Sequence, residues 1–227
     1  MVPRSIPTLF FVSFVFAAGA RGQAVEPPTD TLGAAPPEGG SYLFSDDLSN
    51  WVRQDNGKPA SWPLVDGILT VGSGNIMSRG RYGDFRLHVE FNVPYLPDKA
   101  GQARGNSGVY LQGIYELQVL DSYGLKPQDN DCGAIYKQVA PAVNACKPPL
   151  QWQSYDITFR AAKVQDGKAR KARVTVVQNG RTIIDDREIG PTPGGVSGIK
   201  EGDRGPILLQ DHGDRVQYRN VWIRPLD

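Results

Sequence analysis

The sequence predicts an all-β protein, a sandwich of two curved antiparallel sheets. Three observations carry that reading. Short runs of alternating apolar and polar residues recur from Tyr42 to the end of the chain. No segment sustains a 3.6-residue period. The 26 Gly and 18 Pro among 227 residues supply the turns that many short strands need. A chain of this length can close one sizeable core. The formal net charge of +1 gives no electrostatic footprint for nucleic acid.

The first residues read as a leader rather than as fold. Arg4 precedes the apolar run "LFFVSFVFAAGA", and Ala18-Gly19-Ala20 has the small-x-small form of a cleavage site. The run is too short to span a bilayer comfortably. We therefore expect a signal peptide over 1–20, cleaved after Ala20 or alternatively Ala24, and a secreted or periplasmic, cell-envelope protein with no stable membrane span. A Pro/Gly-rich stretch over 21–40 reads as a linker. One domain then occupies 41–227.

Within that domain, "LVDGILTV" places Asp66-Gly67 between two apolar runs, a two-residue hairpin signal. "DFRLHVEFNV" alternates, with Phe85, Leu87, Val89 and Phe91 on one face and Arg86, His88 and Glu90 on the other. "YDITFRA" is a further strand, and "ARVTVVQNGRTII" a hairpin with Asn179-Gly180 at its tip. "PILLQDHGDRVQYRNVWIRPL" closes the chain as two strands around Gly213. "YKQVAPAVNA" can hold one helical turn before Pro141 stops it. The basic run from Lys168 to Arg173 reads as a solvated hairpin arm.

The stretch "GNSGVYLQGIYELQVLDSYG" (105–124) sets a carboxylate and an amide among apolar residues. Opposite residues of a hairpin share a face. A two-residue turn would set Leu111 against Glu116 and mix the faces. A three-residue loop, Gln112-Gly113-Ile114, sets Leu111 opposite Tyr115 and Tyr110 opposite Glu116, so the register follows the hydrophobic pattern. Tyr110, Glu116 and Gln118 then line the open face. By the same parity Gln210 and His212 face outward if Ile207 and Leu209 are core. With the outward residues of the earlier strand, one open face is expected to gather His88, Glu90, Tyr110, Glu116, Gln118, Gln210 and His212.

The only two cysteines, Cys132 and Cys146, are expected to pair in an oxidising compartment. A two-cysteine zinc site is the weaker alternative, since no histidine lies near either in sequence. Trp51, Trp62, Trp152 and Trp222 could stack on sugar rings, although Trp222 sits in an alternating strand and reads as packed.

"GNSGVYLQGIYELQVLDSYG", "QWQSYDITFRA" and "LLQDHGDRVQYRNVWIRPL", with "LFSDDLSNW" and "GDFRLHVEF", resemble the 3-keto-disaccharide hydrolase domains of exported bacterial proteins over roughly Tyr42 to Leu226. The resemblance implies a concanavalin A-like jelly-roll sandwich and a hydrolase of 3-keto-disaccharides or 3-keto-glycosides. Sandwich glucanases of similar architecture carry two acids on one strand as E-x-D-x-E. Here the run is Glu116-Leu117-Gln118-Val119-Leu120-Asp121, so that pair is missing. A 3-keto group acidifies the neighbouring C2 proton, and one base with enolate stabilisation then suffices for elimination followed by hydration.

Glu116, His88 and His212 are the candidate bases. Tyr110, Gln118 and Gln210 are candidates to hold the oxyanion or sugar hydroxyls, and Glu90 joins them as a binding candidate. Asn106 and Asp121 sit beside glycine or serine, where they either cap turns or bind substrate. Each has a plain structural alternative: Glu116 paired with an arginine, either histidine packed, Gln118 simply exposed. A divalent metal held by Glu, His and Asp could polarise the ketone, but no metal motif supports it and its ligands are not assigned. The missing acid pair also keeps open a carbohydrate-binding or cell-surface module without catalysis.

Overall fold

A computed structural model describes Met1 and residues 31–165 and 168–227. The expected leader and its cleavage site lie outside those residues, as does the linker as far as residue 30. Among the described residues no helix is long and apolar enough to cross a membrane.

The described chain forms fifteen strands and one 3-10 turn at Gly101–Ala103. The first half gives β1 (Ser41–Tyr42), β2 (Trp51–Arg53), β3 (Leu64–Val65), β4 (Ile68–Thr70), β5 (Ile76–Ser78), β6 (Phe85–Asn92), β7 (Ser107–Leu111) and β8 (Tyr115–Val119). The second gives β9 (Gln153–Arg160), β10 (Lys163–Gln165), β11 (Lys168–Arg170), β12 (Ala172–Gln178), β13 (Arg181–Ile189), β14 (Leu208–Leu209) and β15 (Gln217–Pro225). An eight-stranded sheet runs β13-β12-β9-β6-β15-β4-β3, with β1 beside β15. A five-stranded sheet runs β2-β5-β14-β7-β8. β10 and β11 form a separate hairpin. The fold is the expected sandwich of two antiparallel sheets.

The hairpins follow their turn chemistry. Asp66 and Gly67 both take positive φ (50° and 73°), and Leu64 pairs with Leu69. Asn179 and Gly180 do the same (49° and 76°) beneath the Gln178–Arg181 pair. Such left-handed pairs match the twist of the flanking strands. Between Ser107 and Val119 the loop is the three-residue Gln112-Gly113-Ile114, and the register sets Leu111 against Tyr115 and Tyr110 against Glu116. "YKQVAPAVNA" differs from expectation. It holds no helical turn; left-handed Lys137 (φ 60°) and a bridge between Ile135 and Val139 make a tight turn instead.

One apolar core joins the sheets. Phe85, Leu87, Val89 and Phe91 of β6 face Val109, Leu111 and Leu117 of β7 and β8. The Tyr115 ring meets Phe159 at 5.4 Å. Two polar ties cross the same interface: Tyr155 Oη donates to Gln118 O at 2.7 Å, and Ser107 Oγ lies 2.6 Å from Tyr218 Oη. β14 and β15, though near neighbours in sequence, join different sheets. The chain between them, which carries Gln210 and His212, therefore passes along the edge of the sandwich.

Candidate active site

Alternation on β7 and β8 turns Val109, Leu111, Leu117 and Val119 into the core and Tyr110, Glu116 and Gln118 to the outer face of the smaller sheet. Pairing of β14 with β7 and the register Leu209–Val109 bring Gln210 beside them. Gln102, Asn106, Tyr110, Glu116, Gln118, Tyr136, Pro193, Gly194, Gln210 and His212 enclose a cleft of about 170 Å3. A second hollow of about 400 Å3, lined by Lys99, Ala103, Gly213 and Asp214, adjoins it through the shared Gln102 and His212.

The face is open in the sheet yet closed at its edges. Residues 133–136 cap the free side of β8: Gln118 N donates to Ala134 O and Tyr136 N to Glu116 O. The 192–194 segment covers the hairpin: Thr192 N donates to Ile114 O, and Glu116 N donates to Thr192 Oγ1 at 3.0 Å. These walls leave Glu116 only 4% exposed.

Burial governs the chemistry of Glu116. Loss of water raises its carboxyl from 4.5 to about 7, and the neighbouring Tyr110 hydroxyl and Gln210 amide partly oppose the rise. Tyr110 is pushed above its ordinary value, first by burial and then by the Glu116 charge, so its phenol keeps its proton. Tyr110 Oη donates to Pro193 O at 3.1 Å and accepts from Gln210 Nε2 at 3.3 Å. Glu116 is the one carboxylate among the residues lining the cleft. It can therefore exchange a proton near neutrality without a second acid beside it.

Two expected members are elsewhere. His88 and Glu90 do face outward from their strand, but β6 lies in the larger sheet, so they sit on the opposite side of the sandwich from Glu116. Parity along a strand fixes the face of its own sheet, not which sheet the strand joins. Both side chains are fully buried there by residues 31–34 and their neighbours. Gly33 N and Asn220 Nδ2 donate to Glu90 Oε1, and Arg219 Nε to Oε2 at 2.7 Å. Burial alone would raise the Glu90 carboxyl; these donors and His88 hold it down at about 2. His88 Nδ1 lies 2.7 Å from Asp156 Oδ1, Nε2 faces Glu90 Oε1 at 3.5 Å, and the ring stacks on Trp222 at 5.2 Å. Thr31 Oγ1 donates to Asp156, and Trp222 Nε1 and Asn220 Nδ2 donate to Ala34 O. The part of the expected linker that is described thus docks on this face.

Asp121 is also outside the cleft. Its carboxylate meets Arg104 Nε at 3.2 Å and accepts from Tyr123 N, so it holds a turn. Asn106 does line the cleft. The fold brings Cys132 and Cys146 together as free cysteines, with Gln178 Nε2 within 3.6 and 3.5 Å of their sulfurs. None of the tryptophans lines the cleft. Trp51 and Trp62 are buried and donate to Leu43 O and Gly74 O, and Trp152 lies beneath Arg219 at 4.1 Å. Among the described residues no group of three or more His, Cys, Asp or Glu side chains could hold a metal ion.

Sequence reasoning missed Gln102, Tyr136 and the 192–194 wall, which approach only through the fold. It also passed over Gly108, which had a signal. A glycine inside a strand, at the parity of Tyr110, marks a close approach. A Cβ there would stand 2.6 Å from Glu116 Oε1 and 3.3 Å from Gln210 Oε1.

A sequence profile of the 3-keto-alpha-glucoside-1,2-lyase-like domain matches residues 41–224. The resemblance to 3-keto-disaccharide hydrolase domains read from the motifs is borne out by this match. A candidate glycosyl hydrolase of known structure from Parabacteroides distasonis ATCC 8503 is 36% identical, with a TM-score of 0.75, over 92% of this chain and 95% of that one. A second candidate glycosyl hydrolase from the same organism shares the fold at 20% identity and a TM-score of 0.64, over 84% and 95% of the two chains. No curated protein matches the sequence. The profile match and the 36% identical structure together place this chain in the 3-keto-alpha-glucoside-1,2-lyase-like domain family.

Proposed function

We propose that this is an exported enzyme that cleaves 3-keto-disaccharides and related 3-keto-glycosides, with Glu116 as the base. The observation that carries the reading is a single buried carboxyl, poised at about 7, in a cleft that no second carboxylate lines. Direct hydrolysis of an ordinary glycoside needs two carboxyl groups flanking the bond. A 3-keto sugar needs one base, because its ketone already activates C2. The family description, a 1,2-lyase, names elimination across those two carbons.

Glu116 takes the C2 proton, and the C–H electron pair forms C2=C3 with the charge on the C3 oxygen. The C1–O bond then breaks as C3=O re-forms, leaving C1=C2, and the departing oxygen takes the proton back from Glu116. Water adds its hydroxyl to C1 and its proton to C2, so the net change is hydrolysis. His212 and Tyr136 line the cleft and in this mechanism donate to the enolate oxygen. The adjoining hollow suits the leaving sugar, since Gln102 and His212 border both. Export rests on Arg4, the apolar run and Ala18-Gly19-Ala20.

Purified protein should release free sugar from a 3-keto-glycoside and none from its unoxidised parent. In heavy water, deuterium should enter at C2 of the product. Equal turnover of both sugars would refute the mechanism. Sugar binding without turnover of any keto-glycoside would make this a carbohydrate-binding module, the reading that the lone carboxylate otherwise favours.

A further inference from the structure

Three side-chain carbonyl oxygens around Glu116 have no hydrogen-bond partner among the described residues: Asn106 Oδ1, Gln118 Oε1 and Gln210 Oε1. All three residues line the cleft, and Asn106 and Gln118 are each 1% exposed. A buried acceptor without a donor costs about 1–3 kcal/mol, so three in one place call for a ligand that supplies donors.

Their polarity is fixed by backbone groups that can only accept. Gln102 Nε2 donates to Asn130 O at 2.7 Å, which leaves Gln102 Oε1 as an acceptor. Gln118 Nε2 donates to that oxygen at 2.8 Å. Asn106 Nδ2 donates to Gln102 O at 2.7 Å. Reversing either Asn106 or Gln102 would set two oxygens against each other at that distance. On the far side Tyr110 spends its proton on Pro193 O and accepts from Gln210 Nε2, which leaves Gln210 Oε1. Gly108 keeps the space open, since Glu116 Oε1 and Gln210 Oε1 both approach the point where its side chain would begin.

We propose that Asn106, Gln118 and Gln210 form a hydroxyl-accepting wall that selects neutral sugars and excludes those carrying carboxylate, sulfate or phosphate. Gln102 is its positioning residue. The inference rests on reading the cleft as a sugar site. Hydroxyls supply the donors that the three carbonyls lack. An anionic substituent would set its oxygens against these carbonyls and against Glu116, leaving both sides unpaired and desolvated. Of the two roles the sequence left open for Gln118 and Gln210, contact with an oxyanion or with sugar hydroxyls, the commitment of their nitrogens favours the second.

The test is binding, so that no turnover is required. Methyl α-glucopyranoside and methyl α-glucopyranosiduronic acid are titrated by calorimetry against the full chain, its Gln118→Leu variant and its Gln102→Met variant. Wild type should favour the neutral sugar at least tenfold. Gln118→Leu, close in volume, should lose most of that affinity without gaining the uronide. Gln102→Met should shrink the preference because the amides can then rotate. Thermal melting identifies variants that fail to fold; Asn106→Ser then replaces a failed Gln118→Leu. Equal binding of both sugars overturns the wall and leaves the sugar site standing. No binding of either, with no turnover of 3-keto-glycosides, overturns both. Calcium alone binding to wild type but not to Gln118→Leu overturns the hydroxyl reading in favour of a cation.

Discussion

Replacing Glu116 by glutamine should abolish turnover and at the same time stabilise the protein. Glutamine has nearly the shape of a protonated glutamate and cannot ionise. The fold raises the Glu116 carboxyl from 4.5 to about 7, so folded protein holds that proton more tightly than unfolded chain. The resulting stability is complete below pH 4.5 and is lost as pH rises to about 7. The loss amounts to about 3 kcal/mol, at about 1.4 kcal/mol for each pH unit between those values. Glu116 is 4% exposed, so solvent screening takes little from that figure. The variant should therefore match wild type near pH 4 and exceed it above pH 7, by roughly 6–12 °C in melting temperature for a chain of this size. Thermal unfolding of both proteins from pH 4 to pH 8 gives the difference curve. Wild-type kcat/KM should rise over the same range, through an apparent pKa near 7. A difference that stays flat with pH would show that the carboxyl is not paying for burial, and the reasoning would fail.

Tyr110→Phe removes the neighbouring hydroxyl that favours ionised Glu116, so the rising limb of the kcat/KM profile should move to higher pH; an unmoved or lowered limb would contradict this reading. Gly108→Ala puts a Cβ 2.6 Å from Glu116 Oε1 and should lower kcat/KM by about tenfold to a hundredfold, for about 1 kcal/mol of stability. His88→Ala should leave kcat/KM within about twofold while costing about 3 kcal/mol, because it empties a buried ring position and strips Glu90 and Asp156 of a partner. Burial opposes protonation of His88, but Asp156 and Glu90 outweigh it and raise its pKa above 6.5. The stability it contributes is therefore complete below 6.5 and is lost as pH rises past the raised value; denaturant titration of wild type and variant across that range checks the sign.

The sequence by itself determined the strands, their faces and the register at the site. Those are local properties. Alternation has a period of two, so a single slip at Gln112-Gly113-Ile114 would have put Glu116 in the core and Leu117 in water. Asp66-Gly67 and Asn179-Gly180 needed only their own left-handed geometry. The lone Glu116 and the amide at Gln118 were legible for the same reason, as polar residues at outward parity. Only the tertiary structure decided which outward faces coincide. His88 and Glu116 have the same parity, yet β6 and β8 lie in different sheets, and strand pairing depends on the packing of the whole core rather than on any one run. The three-dimensional fold also brought Gln102 from the turn before β7, and Tyr136 and Pro193 from distant loops, over the site. Their arrival removed water from Glu116 and fixed the direction of each amide, and desolvation is a property of surroundings that no strand carries in its own sequence.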